Sequence, residues 1–349
     1  MAKQTTRAGM DVKEKMYLVL VLCFAAVLIT VGAAFFIVRG LGSTTRQNDN
    51  TADSTATQEP LVADSSYDKN QNTIDTNKYS STILEESTDA GQSYVDETLF
   101  LGDSNTARMY RIFNYCSYDN AIGSVGMSGK SLATYACVQF KGYSGYKTMP
   151  EAVALMQPRR VILTFGTNDL SSSYSASSFA SDYAKGIKAV QDAYPNVDII
   201  VNAIPPLGQQ HSNQNLTQTQ VDEYNKALVQ MCQDNGWKFL NSAEVLKDSS
   251  TGYAKSGYVL SSDGIHLTEQ AMDALFTYIR THSYITEDTR PALTAVPTHT
   301  GDKDVSVVSN IVSSTTAAIA PETTEAPDED ASDSSSSDGP DWADGTSGS

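Results

Sequence analysis

The sequence predicts an α/β domain built on a parallel β-sheet, and two features of residues 91–285 carry that prediction. Short apolar runs, typical of buried strands, alternate with longer stretches in which apolar residues recur every three or four positions, as on one face of a helix. Parallel strands need a crossover between them, and helices in that role cover both faces of the sheet. Such sheets bind ligands at the carboxyl ends of their strands, so functional residues are expected at that edge.

Each element follows from its local pattern. Strands are predicted at residues 98–101, 161–165, 197–203 and 237–240, with a weaker strand at 121–125. A helix is expected at residues 105–115, directly after the first strand. Three further helices are indicated by apolar residues at helical spacing, namely Phe179, Tyr183, Ile187 and Val190, then Val221, Tyr224, Leu228 and Cys232, then Leu267, Ala271, Leu275 and Ile279.

The charge composition limits the classes of partner. The chain has 349 residues, with 24 Lys and Arg against 41 Asp and Glu, a net charge of −17. Nucleic-acid binding in general needs clustered positive charge, so this composition argues against it. Thirteen of the acidic residues lie in residues 286–349, which leaves residues 91–285 nearly balanced. Only that middle segment is also apolar enough to bury a sizeable core, so one globular domain is expected.

Residues 17–38 are an uncharged apolar run that would be about 33 Å long as a helix, enough to cross a bilayer. Four basic residues precede the run, so residues 1–16 are predicted to be cytoplasmic and the rest of the chain extracellular. We interpret residues 17–38 as a signal anchor in the cell membrane. The alternative is a signal peptide cleaved near residues 32–34, which would release the same domain.

The segments on either side of the predicted domain are polar. Residues 39–90 are rich in Ser, Thr, Asn and Asp and are predicted to be a disordered linker, and residues 286–349 are predicted to be a disordered acidic tail. Cys116, Cys137 and Cys232 lie outside the predicted membrane span. An oxidising compartment would allow a disulfide between Cys116 and Cys137, but the spacing suggests neither a disulfide framework nor a metal site. No cofactor is predicted.

Ser104 is the first candidate for chemistry. It follows the first strand in the segment Gly102-Asp103-Ser104-Asn105, where a helix is about to begin. A serine in that position faces the open crevice, and its backbone N–H lies at the positive end of the helix dipole. Taken alone, the segment is also an ordinary turn with a helix cap.

Two more segments lie at the same predicted edge. Residues 124–130 (SVGMSGK) supply glycines, which allow a backbone N–H to approach a reacting carbonyl oxygen closely. Gly166-Thr167-Asn168-Asp169 follows the strongest strand, so the Asn168 amide can donate a second hydrogen bond to the same oxygen. A simple turn and an Asx turn are the structural alternatives.

Asp263 and His266 lie before the last predicted helix in the segment SSDGIHL. Their spacing lets the carboxylate hold one imidazole nitrogen while the other faces outward. An imidazole held in this way is the general base that a serine nucleophile needs. The alternative is a capping Asp beside a surface His. The other histidines of the predicted domain, His211 and His282, are expected to be solvated.

Together, and in this order, the four segments resemble the SGNH (GDSL-type) hydrolase family over roughly residues 97–282. The resemblance implies a flavodoxin-like three-layer α/β/α sandwich with a five-stranded parallel sheet. It also implies that Ser104 is the nucleophile, His266 the general base and Asp263 the residue that orients it. With the predicted anchor, the chain would be a single-pass, membrane-anchored, extracellular member.

The same resemblance implies an oxyanion hole formed by the Ser104 N–H with Gly129 and Asn168, and Gly126 is the alternative to Gly129. Asn105 stands where leucine is common in the family, so it is a candidate for lining the mouth of the site.

The predicted activity is hydrolysis of an ester through an acyl-serine, with small acyl groups such as O-acetyl removed from cell-surface or external carbohydrate. Tyr143, Tyr146 and Tyr174 are candidates for stacking on sugars, and ordinary packing is the alternative for each. Other readings are an acyltransferase on surface polymers, a lysophospholipase or thioesterase, and a non-catalytic surface-binding module.

Overall fold

The structure is a computed structural model that describes residues 61–63, 66–291 and 296–303. The predicted cytoplasmic segment 1–16, the predicted anchor 17–38, the first part of the predicted linker and most of the predicted tail lie outside the described residues. Among the described residues, no helix is both long enough and apolar enough to cross a membrane.

The described residues form the following helices and strands. The helices are α1 (Gly91–Asp96), α2 (Ser104–Arg111), α3 (Met149–Met156), α4 (Ala176–Ala193), α5 (Gln218–Asn235), α6 (Ala243–Leu246) and α7 (Glu269–Thr281). The strands are β1 (Val62–Ala63), β2 (Thr98–Gly102), β3 (Ala121–Gly123), β4 (Ala136–Phe140), β5 (Lys147–Thr148), β6 (Arg160–Thr164), β7 (Asp198–Asn202), β8 (Gln210–His211), β9 (Lys238–Leu240) and β10 (His299–Asp302).

The central sheet has five strands in the order β3-β2-β6-β7-β9, and every neighbouring pair is parallel. These are the five strands that the apolar runs predict, with ends that differ by one or two residues. The α/β class and the five-stranded parallel sheet are therefore confirmed.

The sheet lies between two layers of helices because successive side chains of a strand point to opposite faces. On β2, Leu99 and Leu101 join a core with α3, α4 and α5, whereas Phe100 joins a core with α1, α2 and α7. On β6, Val161 and Leu163 face the first core, and Ile162 faces the second. Each strand is thus buried on both faces, as its continuous apolar run indicates.

The last part of the predicted linker is packed against the domain, which corrects the prediction of disorder for residues 66–90. Tyr79 belongs to the core beside α4 and α5. The backbone of Phe239 on β9 exchanges hydrogen bonds with Thr82 and Leu84, at 2.9 and 3.0 Å. The Tyr67 hydroxyl donates to Asp222 Oδ2 at 2.6 Å. This segment is polar in composition, but it is ordered by a few buried aromatic and aliphatic residues and by backbone pairing with the edge strand β9.

The beginning of the predicted tail is also ordered. Strand β10 pairs with β4, which pairs with β5 on its other side, and both pairings are antiparallel. Asp302 at the end of β10 accepts hydrogen bonds from the Tyr110 hydroxyl and from Arg111, both at 3.0 Å. The prediction of disorder is therefore wrong for residues 296–303, where long-range contacts with α2 and β4 stabilise a short strand.

The disulfide that the sequence allows is not formed. In the described part of the chain, Cys116, Cys137 and Cys232 are all buried, and Cys116 and Cys232 are free thiols. Burial raises the pKa of the Cys116 thiol to about 12, which keeps it protonated and unreactive at neutral pH.

Candidate active site

Ser104 is the first residue of α2, at the carboxyl end of β2. The preceding Asp103 caps the helix, and its Oδ1 accepts the Asn105 backbone N–H at 3.0 Å. Glycine is required at position 102, because a Cβ there would lie 2.0 Å from Thr106 Oγ1. The strand can therefore turn directly into the helix and leave the Ser104 N–H in the first turn, where no intrahelical acceptor exists.

The loop before α7 brings an imidazole to this serine. His266 Nε2 lies 3.0 Å from Ser104 Oγ, although the two residues are 162 positions apart. His266 Nδ1 lies 2.7 Å from Asp263 Oδ2. Asp263 Oδ1 also accepts the backbone N–H groups of Ile265 and His266, at 2.7 and 2.9 Å. The structure thus brings together the three residues that the sequence predicts as a nucleophile, base and orienting acid.

The electrostatics favour an ionised Asp263. Burial raises the pKa of its carboxyl, but the hydrogen bond and charge of His266, with the two backbone N–H groups, outweigh burial and leave the pKa below its usual value. An ionised acceptor at Nδ1 keeps the proton on that nitrogen, so Nε2 is free to accept the proton of the serine hydroxyl.

Asn168 lies close to Ser104 on a short 3₁₀ turn that follows β6, Thr167–Asp169. Its Nδ2 donates to Asp103 Oδ2 and to the Met127 carbonyl oxygen, both at 3.2 Å. An amide nitrogen carries two hydrogens, so donation to a substrate oxygen requires that one of these bonds be exchanged. Asn168 is therefore bound to the residue that precedes Ser104, and it is held by a carboxylate and a carbonyl that the prediction did not include.

Asp103 is a fully buried carboxyl group beside the serine. Burial raises its pKa to about 6, although the Asn105 N–H and the charge of His266 both act to lower it. Nearby Asp169 raises it further. At neutral pH this group is mostly ionised, and it accepts from Asn168 on one oxygen while it caps α2 with the other.

Gly129 does not present its N–H to the site as predicted. The N–H donates to Asp169 Oδ2 at 2.7 Å, so it is not available to an oxyanion in this arrangement. Packing also favours glycine there, since a Cβ would lie 3.2 Å from the rings of Phe179 and Tyr183, a tight contact. Gly126, the alternative, is exposed and has φ +74°, which the turn from Ser124 to Met127 requires.

The candidate substrate residues differ in their exposure. Asn105 is buried and its Oδ1 accepts the Leu267 backbone N–H at 3.0 Å. It therefore holds the loop that carries His266, called the histidine loop below, and does not line the mouth of the site. Tyr143 and Tyr146 lie in the hairpin between β4 and β5 and are 46% and 38% exposed. Tyr174 is half-buried, with its hydroxyl bonded to Asp182 and its ring against Phe179.

Sequence reasoning missed Asp103, Asp169 and Arg108. Each lies in or beside a segment that the sequence analysis singled out, but a capping Asp and a helical Arg give no local sign of burial. Among the described residues, no group of three or more His, Cys, Asp and Glu side chains could hold a metal ion.

Comparison with known proteins gives one family and several similar folds. Residues 100–274 match the sequence profile of the GDSL-like Lipase/Acylhydrolase family. No curated protein matches the chain at a significant level.

Three of the similar solved structures illustrate the comparison. A carbohydrate esterase of family 3 from Talaromyces cellulolyticus is 16% identical, with 52% of this chain and 93% of that chain covered and a TM-score of 0.37. A GDSL-like lipase from Bacteroides thetaiotaomicron is 14% identical, with coverages of 55% and 89% and a TM-score of 0.40. An acetyl xylan esterase is 17% identical, with coverages of 52% and 98% and a TM-score of 0.39.

The matched profile spans 175 of the 349 residues, which is half of the chain and most of the described domain. It includes the serine at the end of β2, the asparagine after β6 and the Asp-x-x-His segment before α7. The chain therefore belongs to the GDSL-like Lipase/Acylhydrolase family and is an ester-hydrolysing enzyme.

Proposed function

We propose that the enzyme cleaves esters through a covalent acyl-serine on Ser104. The observation that carries this proposal is the continuous contact from Ser104 Oγ to His266 Nε2, at 3.0 Å, and from His266 Nδ1 to Asp263 Oδ2, at 2.7 Å. A serine hydroxyl is a weak nucleophile unless a positioned base takes its proton, and this arrangement supplies that base.

The steps follow from the geometry. Ser104 Oγ attacks the ester carbonyl while its proton moves to His266 Nε2, and the imidazolium gives that proton to the leaving alcohol. Water then enters, gives a proton to Nε2 and attacks the acyl-serine. The imidazolium then gives this proton to Ser104 Oγ as the acyl–Oγ bond breaks, which releases the carboxylic acid and restores the serine hydroxyl.

The developing oxyanion is stabilised by two donors in this proposal. The Ser104 backbone N–H lies at the N-terminus of α2, where the helix dipole also favours negative charge. The second donor is Asn168 Nδ2, which exchanges one of its present bonds for the bond to the oxyanion. Loss of one such donor typically costs about 10²–10³ in kcat.

The substrate that we propose is a carbohydrate bearing small acyl groups, such as O-acetyl. Exposed Tyr143 and Tyr146 offer flat faces on which sugar rings can stack. In the described part of the chain, the other large apolar residues with high exposure are Ile285 and Val296, outside the segments that form the site. That distribution favours a polar substrate over a lipid, which would need a broad apolar mouth.

We also propose that residues 17–38 anchor the enzyme in the cell membrane with the catalytic domain outside. The support is the length of the uncharged run and the basic residues before it. Protease added to intact cells is expected to remove the domain and leave a short N-terminal fragment in the membrane. A domain that stays protected until the cells are lysed would contradict this topology.

The catalytic proposal is tested by Ser104→Ala, with Ser173→Ala on an exposed loop as the matched control. Ser104→Ala is expected to abolish hydrolysis of a small acetyl ester and labelling by a serine-directed phosphonate, with an unchanged circular dichroism spectrum. The control variant should retain both. Undiminished turnover by Ser104→Ala would end the assignment of the nucleophile.

The substrate proposal is tested by the rate of hydrolysis of a panel of acetylated glycans, measured by acetate release. The same rate is measured on a phospholipid, by release of fatty acid, and on a thioester, by release of thiol. Faster release from glycans is the expected result, and preferential cleavage of the phospholipid or thioester would contradict it. Gain of acyl groups on an added polymer would identify an acyltransferase.

A further inference from the structure

The histidine loop is a short antiparallel hairpin, and its hydrogen bonds leave one residue with its polar backbone groups facing outward. Val259 and Leu267 form an isolated antiparallel bridge. The hydrogen bonds of this pair are made by its neighbours, from Leu260 N to His266 O at 2.9 Å and from Thr268 N to Tyr258 O at 3.0 Å. In such a pair, the N–H and C=O of Leu267 itself point away from the hairpin partner.

Both outward groups of Leu267 are bound by side chains of α2. Asn105 Oδ1 accepts the Leu267 N–H at 3.0 Å. Arg108 Nε donates to the Leu267 carbonyl oxygen at 3.2 Å. Asn105 and Arg108 are three residues apart, so they lie on the same face of the helix, and together they replace the hydrogen bonds of a neighbouring strand.

This contact is buried and made by residues that normally avoid burial. Asn105 and Arg108 are each only 2% exposed, and Leu267 is 1% exposed. Burial of either side chain is costly unless its hydrogen bonds are made, so the two bonds to Leu267 offset part of that cost. The Phe113 ring, 5.2 Å from the Arg108 guanidinium, and the charge of Asp263 also favour buried Arg108. Arg108 Nη1 is buried without a partner in the described structure, so Nε carries much of the compensation.

We infer that Asn105 and Arg108 are positioning residues that hold His266 Nε2 against Ser104 Oγ by binding both polar backbone groups of Leu267. Leu267 follows His266 directly, and Ser104 precedes Asn105 directly. The two hydrogen bonds to Leu267 therefore connect the two chain segments one position away from each reacting residue. The bonds within the hairpin fix its shape but do not reach α2. The bonds from Asn105 and Arg108 to Leu267 fix the distance between the histidine loop and α2.

This inference rests on the proposed function and adds to it a pair of residues that touch no reacting atom. Displacement of a base by about 1 Å can cost on the order of 10²-fold in rate. Loss of either side chain should therefore lower kcat, while KM for a small ester, which the pair does not contact, should change little.

The variants are chosen to separate positioning from folding. Asn105→Leu keeps the approximate shape and removes the acceptor, and Arg108→Met keeps the stem and removes the donor. Arg108→Lys retains a donor within reach of the Leu267 carbonyl. Arg111→Met is the matched control, because Arg111 lies on the same helix and pairs with Asp302 at 3.0 Å, away from the histidine loop.

Wild type and variants are compared by kcat and KM for a small acetyl ester, with the folded fraction measured in the same buffer. We expect kcat to fall about 10- to 100-fold in Asn105→Leu and in Arg108→Met, with KM within about twofold, partial recovery in Arg108→Lys and none of these changes in Arg111→Met. The double variant should lose little more than the worse single variant, since both side chains act through one residue.

Wild-type kcat in Asn105→Leu would overturn the inference, and so would losses of activity that the unfolded fraction fully explains. The ¹⁵N chemical shifts of the His266 ring provide a readout that needs no substrate. They are expected to move in Asn105→Leu toward those of Ser104→Ala, and unchanged shifts would overturn the inference. Failure of the proposed function would appear separately, as a wild-type enzyme that neither hydrolyses esters nor reacts with the phosphonate.

Discussion

Asp103 allows a quantitative prediction, because a fully buried carboxyl with a raised pKa must make stability depend on pH. Its pKa is raised from 3.8 to about 6, chiefly by burial. Above pH 6 the group is ionised in both the folded and the unfolded state, and the folded state bears the cost of the buried charge. As pH falls through 6, the folded state binds a proton that the unfolded state does not yet bind, so the free energy of unfolding rises.

The size of the effect follows from the two pKa values. The full difference between the usual pKa and about 6 corresponds to roughly 3 kcal/mol, which is reached only below pH 4. Between pH 8 and pH 5 the expected gain in the free energy of unfolding is about 1 kcal/mol, because pH 5 lies about one unit below the folded-state pKa. This is a large fraction of the stability of a typical domain.

The perturbation is Asp103→Asn, which removes the titration. Asparagine is an equally good helix cap and its Oδ1 can still accept the Asn105 N–H. Its amide nitrogen cannot accept from Asn168, so the variant loses one hydrogen bond. That loss changes the stability of the variant by an amount that does not depend on the titration of residue 103. Asp192→Asn, exposed on α4, is the matched control.

The measurement is urea unfolding between pH 5 and pH 8, followed by the fluorescence of buried Trp237. Wild-type stability minus Asp103→Asn stability should increase by about 1 kcal/mol as pH falls from 8 to 5, since groups that do not interact with Asp103 cancel. The same difference for Asp192→Asn should stay flat. A flat or inverted difference for Asp103→Asn would refute the argument that its carboxyl is ionised and buried at neutral pH.

Two further predictions concern the rate and the substrate. Asp263→Asn should keep the loop folded, because its amide oxygen can still accept from the Ile265 and His266 backbone N–H groups. It should lower kcat by about 10⁴, because the imidazole proton would no longer be held on Nδ1. A rate within tenfold of wild type would contradict this. Tyr143→Ala combined with Tyr146→Ala should raise KM for an acetylated glycan roughly 2- to 10-fold without changing kcat/KM for a small ester, and Tyr→Phe at both positions should not. An equal effect on both substrates would point to a role in folding.

The sequence predicted the strands of the central sheet because each is buried on both faces and therefore reads as an unbroken apolar run. It offered Ser104, Asp263 and His266 as candidates because Ser104 follows the first strand and Asp263 lies three residues before His266, and the resemblance to a known family gave them their roles. These are local signals. The packing of Tyr79 and the pairing of residues 82–84 with β9 are not local, since their partners lie more than 100 residues away.

The loop of residues 124–130 shows why a correctly predicted residue type does not ensure a correctly predicted role. The family resemblance implies that Gly129 is an oxyanion donor, and the freedom that a missing Cβ gives to a backbone N–H makes a glycine suitable for that role. In the structure, the missing Cβ makes room for Phe179 and Tyr183, and the N–H is bound by Asp169. Both reasons favour glycine, so the residue type alone cannot distinguish an oxyanion donor from a packing site.

The first turns of α2 explain why so many polar residues are buried at one helix. Asp103 binds Asn168 of the loop after β6, and Asn105 with Arg108 binds Leu267 of the histidine loop. Ser104 lies between them. A helix that only had to cover the sheet would place apolar side chains at these positions, as it does at Ala107 and Met109. The buried polar residues therefore fall where α2 must hold two loops in fixed relation to the serine, which is what a preorganised acyl-transfer site requires.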